Sequence, residues 1–366
     1  HIALSYAQQA AFNLDKATES TQRAIRLSPD NALAHARLAE LELSRGYRSR
    51  GIAAAKKAAQ LEPRLARTHS VLGFAYLTEI KINEAKLAFE RAIHLDSTDP
   101  LARLGLGLAK IRKGKLKQGT EELELATSLD PNNSLIRSYL GKAYYEQRRP
   151  KIAETEFKNA KELDPKDPTP YFYDAIHKQT TNRPVEALRD LQKAVELNKN
   201  RSIYRSSLQL DEDLAARSAS LGRIYRDLGF QQRALVEGWK STNIDPTSHG
   251  AHRFLADSYS VLPRHELARV SELLQSQLQQ PINLTPVQPS LAEPNLLILN
   301  GSGPSAAAFN EYNPLFQRNR LGLQAAGVIG NNSTFGDEVV QSGVLGPFSY
   351  SLGQFHYETD GFRPRN

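Results

Sequence analysis

The feature that most restricts this chain is a fixed step of 34 residues. Aligning "LSPD", "LEPR", "LDST", "LDPN", "LDPK" and "LNKN" puts Pro29, Pro63, Ser97, Pro131, Pro165 and Lys199 at one recurring position, 34 residues apart each time. A strict period of this length marks units that stack, because no unit can cover its own apolar face. With 366 residues, the chain also exceeds one ordinary globular core.

Inside each period the apolar residues follow two helices. Leu140, Gly141 and Tyr144 share the first; Ala153, Phe157 and Ala160 share the second, and Pro165 closes the unit. Leu72, Gly73, Tyr76, Ala85, Phe89 and Ala92 repeat the arrangement. Gly73, Gly107, Gly141 and Ala175 are small enough to let paired helices approach. Proline follows the second helix because it has no N–H with which to continue the ladder. These residues read as core rather than as site.

On these residues the chain resembles the tetratricopeptide repeat (TPR) family over about residues 1–280. The resemblance implies a mainly α fold, an α-α superhelix or solenoid of about eight helical pairs. The Trp usual at the fourth position is absent; His69 and Arg137 stand there. The register breaks once. Pro246 lies 47 residues after Lys199, so extra residues fall near 200–214, where Asp211, Glu212 and Asp213 read as a solvated helix start, the alternative being an ion or partner site. Leu221, Gly222, Tyr225, Gly229 and Ala234 then resume the pattern.

From Pro281 the composition changes. Residues 281–317 are proline-rich and read as a linker. Residues 318–366 alternate with period two in "RLGLQAAGVIG", "EVVQSGVLG" and "FSYSLGQFHYE", the pattern of antiparallel strands. Leu321, Leu323 and Ile329 share one side of the first, and Phe348, Tyr350 and Leu352 share one side of the third. We expect this short β segment to open an outer-membrane β-barrel, with "NNSTFGD" as a long outer loop and "GP" as a tight inner turn. Three strands cannot close a barrel, so the remaining strands are expected beyond Asn366, and the start at His1 reads as an internal one. The competing reading is a small sheet packed on the helical array.

A helical array followed by a barrel resembles bacterial outer-membrane proteins with a periplasmic TPR domain, such as exopolysaccharide exporters. "NRPVEALRDLQKAVELN", "EGWKSTNIDP", "AHRFLADSYS" and "GDEVVQSGV" also resemble a group of large bacterial repeat-plus-barrel proteins. These resemblances imply the cell envelope: periplasm with outer-membrane attachment, the alternative being the cytoplasm.

The sequence carries no signature of catalysis. It has no Cys and therefore no thiolate nucleophile or cysteine metal site, and "GSGPS" lacks the strand-to-helix setting of a nucleophile elbow. His249, His252 and His265 offer at most a weak metal pair, so neither enzyme activity, cofactor nor metal is expected.

What remains is the inner groove, lined in the family by the first helix of each pair. Its fifth and ninth positions here read Ser70/Phe74, Leu104/Leu108, Ser138/Lys142 and Phe172/Ile176. The Lys–Asn pair that opens a carboxylate clamp in such proteins is missing. The candidate groove residues are Arg67, Phe74, Arg112, Tyr139, Lys142, Tyr145 and Tyr173, aromatics mixed with cations. Residues 1–280 carry a net charge of +9 against −2 on the rest. The partner expected is a protein or peptide, or an anionic polysaccharide; nucleic acid is disfavoured. The reading is thus a non-enzymatic periplasmic scaffold for export or assembly, the alternative a soluble interaction adaptor with a β cap.

Overall fold

The structure is a computed structural model that describes residues 1–204, 210–279, 320–345 and 348–361. Contacts divide the described residues into two compact units, one up to residue 210 and one from 211 on.

The first unit holds six helical pairs in chain order: α1 (Ile2–Ala10) with α2 (Leu14–Leu27), α3 (Ala32–Ser44) with α4 (Arg48–Leu61), α5 (Ala66–Thr78) with α6 (Ile82–Leu95), α7 (Pro100–Arg112) with α8 (Leu116–Leu129), α9 (Ser134–Glu146) with α10 (Pro150–Leu163), and α11 (Pro168–Thr180) with α12 (Pro184–Glu196). A 3-10 turn, Asn198–Asn200, and a short α13 (Arg201–Tyr204) follow. The second unit continues with α14 (Leu210–Asp227), α15 (Gln231–Ile244), α16 (His249–Tyr259) and α17 (Glu266–Gln279). The helical part is the TPR-like solenoid that the period implied. Its extra residues near 200–214 form the 3-10 turn, α13 and the start of α14; residues 205–209 lie outside the described residues, as does the proline-rich stretch 281–317.

The period fixes where each helix starts and stops. Asn31, Asp99, Asn133 and Asp167 each accept a hydrogen bond on the side chain from a backbone N–H of the helix that follows, satisfying a donor with no intrahelical partner. Each first helix is closed by a residue in the left-handed region: Phe12, Gly46, Ile80, Gly114, Arg148 and Asn182, again at the common step. The fourth-position side chains reach back to the preceding turn. His35 and His69 donate from Nε2 to the carbonyls of Pro29 and Pro63 (2.7 and 2.8 Å), Arg137 from Nε to Pro131 (2.7 Å), and His252 from Nε2 to Pro246 (2.8 Å). A polar side chain thus ties each of these turns to the helix that follows it.

Packing within pairs follows the small residues. Phe89 and Phe157 lie against Gly73 and Gly141, where an added Cβ would sit 2.6 Å from a ring carbon. A second recurring device is electrostatic. Glu122, Glu156 and Asp190 occupy one repeat position in the second helices. Glu122 accepts from Arg103 and Lys110 (3.0 and 2.7 Å), Glu156 from Arg137 (2.7 Å), and Asp190 from Lys178 (2.6 Å).

The second unit also contains an antiparallel sheet of β1 (Arg320–Gly330), β2 (Thr334–Leu345) and β3 (Phe348–Glu358), in the order β1-β2-β3. The described strands do not close on themselves. Ile329 pairs with Phe335, so the stretch expected as a long loop over 331–337 is a three-residue turn followed by strand. Asn332 and Ser333 explain the difference: both have positive φ (57° and 55°), which turns the chain within a tight connection. The "GP" turn lies outside the described residues. Leu321, Leu323, Ile329, Phe335, Phe348 and Leu352 are exposed on one face, while Val340 and Ser342 on the other are buried. No helix among the described residues is long and apolar enough to cross a membrane.

Candidate functional site: the inner face of the first unit

The first helices α5, α7, α9 and α11 carry the candidate groove residues, of which Tyr139, Lys142 and Tyr173 are buried and the other four half-buried. At the fifth position Ser70, Leu104, Ser138 and Phe172 are buried; at the ninth so are Leu108, Lys142 and Ile176. The helical period selects the face but not the depth, which depends on how tightly neighbouring pairs curve.

Four of the seven candidates converge. Tyr139 and Tyr173 lie with ring centroids 6.4 Å apart, joining α9 to α11. Lys142 is only 2% exposed. Its Nζ donates to Glu146 Oε1 at 2.7 Å and lies 4.9 Å from the Tyr145 ring centroid and 5.8 Å from that of Tyr173. Tyr145 remains half-buried and meets His177 edge-on at 6.3 Å; burial pushes its hydroxyl pKa up. This is an ammonium in a pocket of aromatic faces, with its charge already matched by a carboxylate.

The other three stand apart. Arg67 donates to Glu40, which also accepts from Arg37 Nη1 (3.0 Å) and from the Tyr6 hydroxyl (3.1 Å). Arg37 is itself buried, with Nε on Ser5 Oγ (2.8 Å) and its Cζ 3.7 Å from the Tyr6 ring centroid. One carboxylate thereby links α1, α3 and α5. Burial and the Glu40 charge both push the Tyr6 hydroxyl pKa up; burial opposes the charge on Arg67, but Glu40 outweighs it and holds the guanidinium above its usual range. Phe74 turns toward the core, edge-on to Phe89 at 5.0 Å. Arg112 ends α7, where burial lowers its pKa.

Sequence reasoning missed Tyr6, Arg37 and Glu40, and also a buried charge quartet. Lys161 Nζ lies 2.6 Å from Asp174 Oδ2 and 2.8 Å from Asp190 Oδ2, while Lys178 Nζ lies 3.0 and 2.6 Å from the same two oxygens. Burial works against the Asp174 charge, yet the His177 hydrogen bond and the two ammonium groups hold its carboxyl well below the usual range. The 34-residue spacing of Glu122, Glu156 and Asp190 was the available signal. In the second unit, His252 Nδ1 meets Glu272, His249 is buried, and His265 stacks on Tyr259 at 5.4 Å. Among the described residues no group of three His, Cys, Asp or Glu is placed to hold a metal ion.

No model of a known protein family matches the chain, and no curated protein does. Among solved structures, a chain of the APC/C Cut9–Hcn1 heterotetramer is similar, with a TM-score of 0.64 and 18% identity over 73% of this chain. The match covers 50% of that chain, so the similarity spans about half of its length. Pseudomonas aeruginosa pilF aligns at a TM-score of 0.49 and 18% identity, over 63% of this chain and 98% of its own. A thermophilic TPR protein of Thermus thermophilus aligns at 0.43 and 21% identity, over 52% and 97%. The first likeness shows the fold, and the fold alone.

Proposed function

We propose that the chain is a non-enzymatic scaffold that binds a protein or peptide partner along the inner face of its first unit. The observation that carries this reading is the aromatic cluster of Tyr139, Tyr145 and Tyr173 on two successive first helices. Aromatic faces supply contact area at small entropic cost and suit an extended peptide. The charge pairing of Lys142 with Glu146 and of Arg67 with Glu40 favours a peptide over an anionic polysaccharide, because neither cation presents an unmatched charge. A photo-crosslinking phenylalanine in place of Tyr145 should capture a partner in cells, and the same group at exposed Lys158 on α10 should not. Equal capture from both positions would move the binding surface elsewhere.

The finer reading is a periplasmic domain joined to an outer-membrane barrel, serving export or assembly. It is supported by strands of 11 or 12 residues and by the exposed apolar side chains along one sheet face. Strands of this length suit a bilayer. Fractionating cells that express the full gene tests it: recovery in the outer membrane is expected, and recovery in the cytosol would sink it. The alternative, a soluble adaptor with a β cap, is favoured by the buried Val340 and Ser342 on the opposite face.

A further inference from the structure

The two ends of the six-pair row touch. Gln9 in α1 donates from Nε2 to the Ile203 carbonyl in α13 at 2.9 Å. Phe12, in the turn after α1, meets Tyr204 edge-on with centroids 6.3 Å apart, and Lys166 Nζ lies 5.4 Å from the Phe12 centroid. The Tyr204 hydroxyl donates to Asp164 Oδ2 at 2.7 Å, tying α13 to the turn after α10. In addition, α13 touches α3. All these residues belong to the first unit.

Such contacts are not part of a simple stack, in which each pair meets only its neighbours. Phe12 carries a further sign. It is an exposed aromatic residue at φ +60°, where the equivalent positions in the second and fourth pairs hold Gly46 and Gly114. A non-glycine residue in this region is strained. Ile80, Arg148 and Asn182 hold the same conformation at the other equivalent positions; of the four, Phe12 is the one whose ring meets a residue at the far end of the row. Meanwhile Ser138 and Leu108, on the inner face, are buried.

We propose that the Gln9, Phe12, Ile203 and Tyr204 contact is a latch that holds the inner face closed, and that an extended peptide reaches this face only when the latch opens. The proposal rests on the inner face being the binding surface. Opening needs no unfolding of a pair, since the latch is one side-chain-to-backbone hydrogen bond and one ring contact between the ends of the row, and its release lets neighbouring pairs splay. Free-state affinity is then reduced by the fraction of molecules that are open.

The test uses the full chain, whose lack of cysteine gives a clean background. Ser138→Cys reports on the inner face, and Ala126→Cys, equally buried in α8, reports on the core of a pair. Each is placed in the latched protein and in a Phe12→Gly, Tyr204→Ala variant, in which glycine also relieves the left-handed strain. The rate of maleimide labelling is then measured. Opening the latch should speed labelling at Ser138→Cys by about tenfold or more and leave Ala126→Cys unchanged. An unchanged rate at Ser138→Cys overturns the proposal. So does an equal rise at both positions, because the contact would then hold the whole unit rather than its inner face. The labelling needs no partner, so it stands or falls separately from the crosslinking experiment on the groove itself.

Discussion

A Cβ on Gly105 would lie 2.1 Å from Cζ of Phe89, closer than any real contact between such atoms. Phe89 thus fills space in two pairs at once, lying against Gly73 in its own pair and Gly105 in the next. Gly105→Ala should force the ring aside and destabilise the protein by about 1–3 kcal/mol, the cost of overpacking a dense core. Urea denaturation should show a lower midpoint; an unchanged midpoint would mean that the pair interface yields freely.

Ile80 closes α5 in the left-handed region at φ 58°, an unfavourable place for a β-branched residue, and its side chain is 47% exposed. Glycine there removes strain of about 1–2 kcal/mol while giving up part of that gain to unfolded-state entropy. Ile80→Gly should therefore raise the denaturation midpoint slightly. Gly114→Ala, at the matching position of the next pair, should lower it. A fall for both would show that the Ile80 side chain stabilises more than its backbone strain costs.

Asp174 is paired with two ammonium groups at 4% side-chain exposure. Asp174→Asn leaves Lys161 and Lys178 facing Asp190 alone and should cost about 3–5 kcal/mol near neutral pH, as breaking a buried pair does. The folded pKa of Asp174 is depressed from its ordinary 3.8. Its contribution is therefore fully present above the unfolded value and is lost as pH falls toward the folded one. The stability difference between wild type and variant should shrink below about pH 4. A difference that stays constant down to pH 2.5 would contradict the pairing.

His252 has an acceptor at each ring nitrogen, Glu272 on Nδ1 and the Pro246 carbonyl on Nε2, which favours the doubly protonated ring. The Glu272 hydrogen bond is the chief cause of its raised pKa. The folded protein thus holds this proton more tightly than the unfolded chain. The contribution is complete below the unfolded value of 6.5 and is lost as pH rises through the folded one. His252→Gln should lower the melting temperature more at pH 5.5 than at pH 8.5. The reverse order would place the proton elsewhere.

Much of the fold was legible because the period sets loop length as well as helix length. Pro131 and Pro165 mark turns, Leu140, Gly141 and Tyr144 mark a first helix, and Phe157 against Gly141 needs only its own pair. The alternation of residues 320–330 and 348–358 likewise predicted strands. The tight turn at 331–333 is not legible in the polar "NNSTFGD", because cross-strand pairing of Ile329 with Phe335 decides where the strand resumes. The site was less legible. Tyr139, Lys142, Tyr145 and Tyr173 were placed on one face, but the burial of Lys142 depends on the curvature of the row. Nothing periodic connects Gln9 to Ile203, so that contact left no trace in the sequence.

Open solenoids melt from their termini, since an end unit has one neighbour and every interior unit has two. The meeting of α1 with α13 gives the first pair a contact beyond the pair next to it in sequence. Loosening that pair then costs this contact as well as its junction with α3.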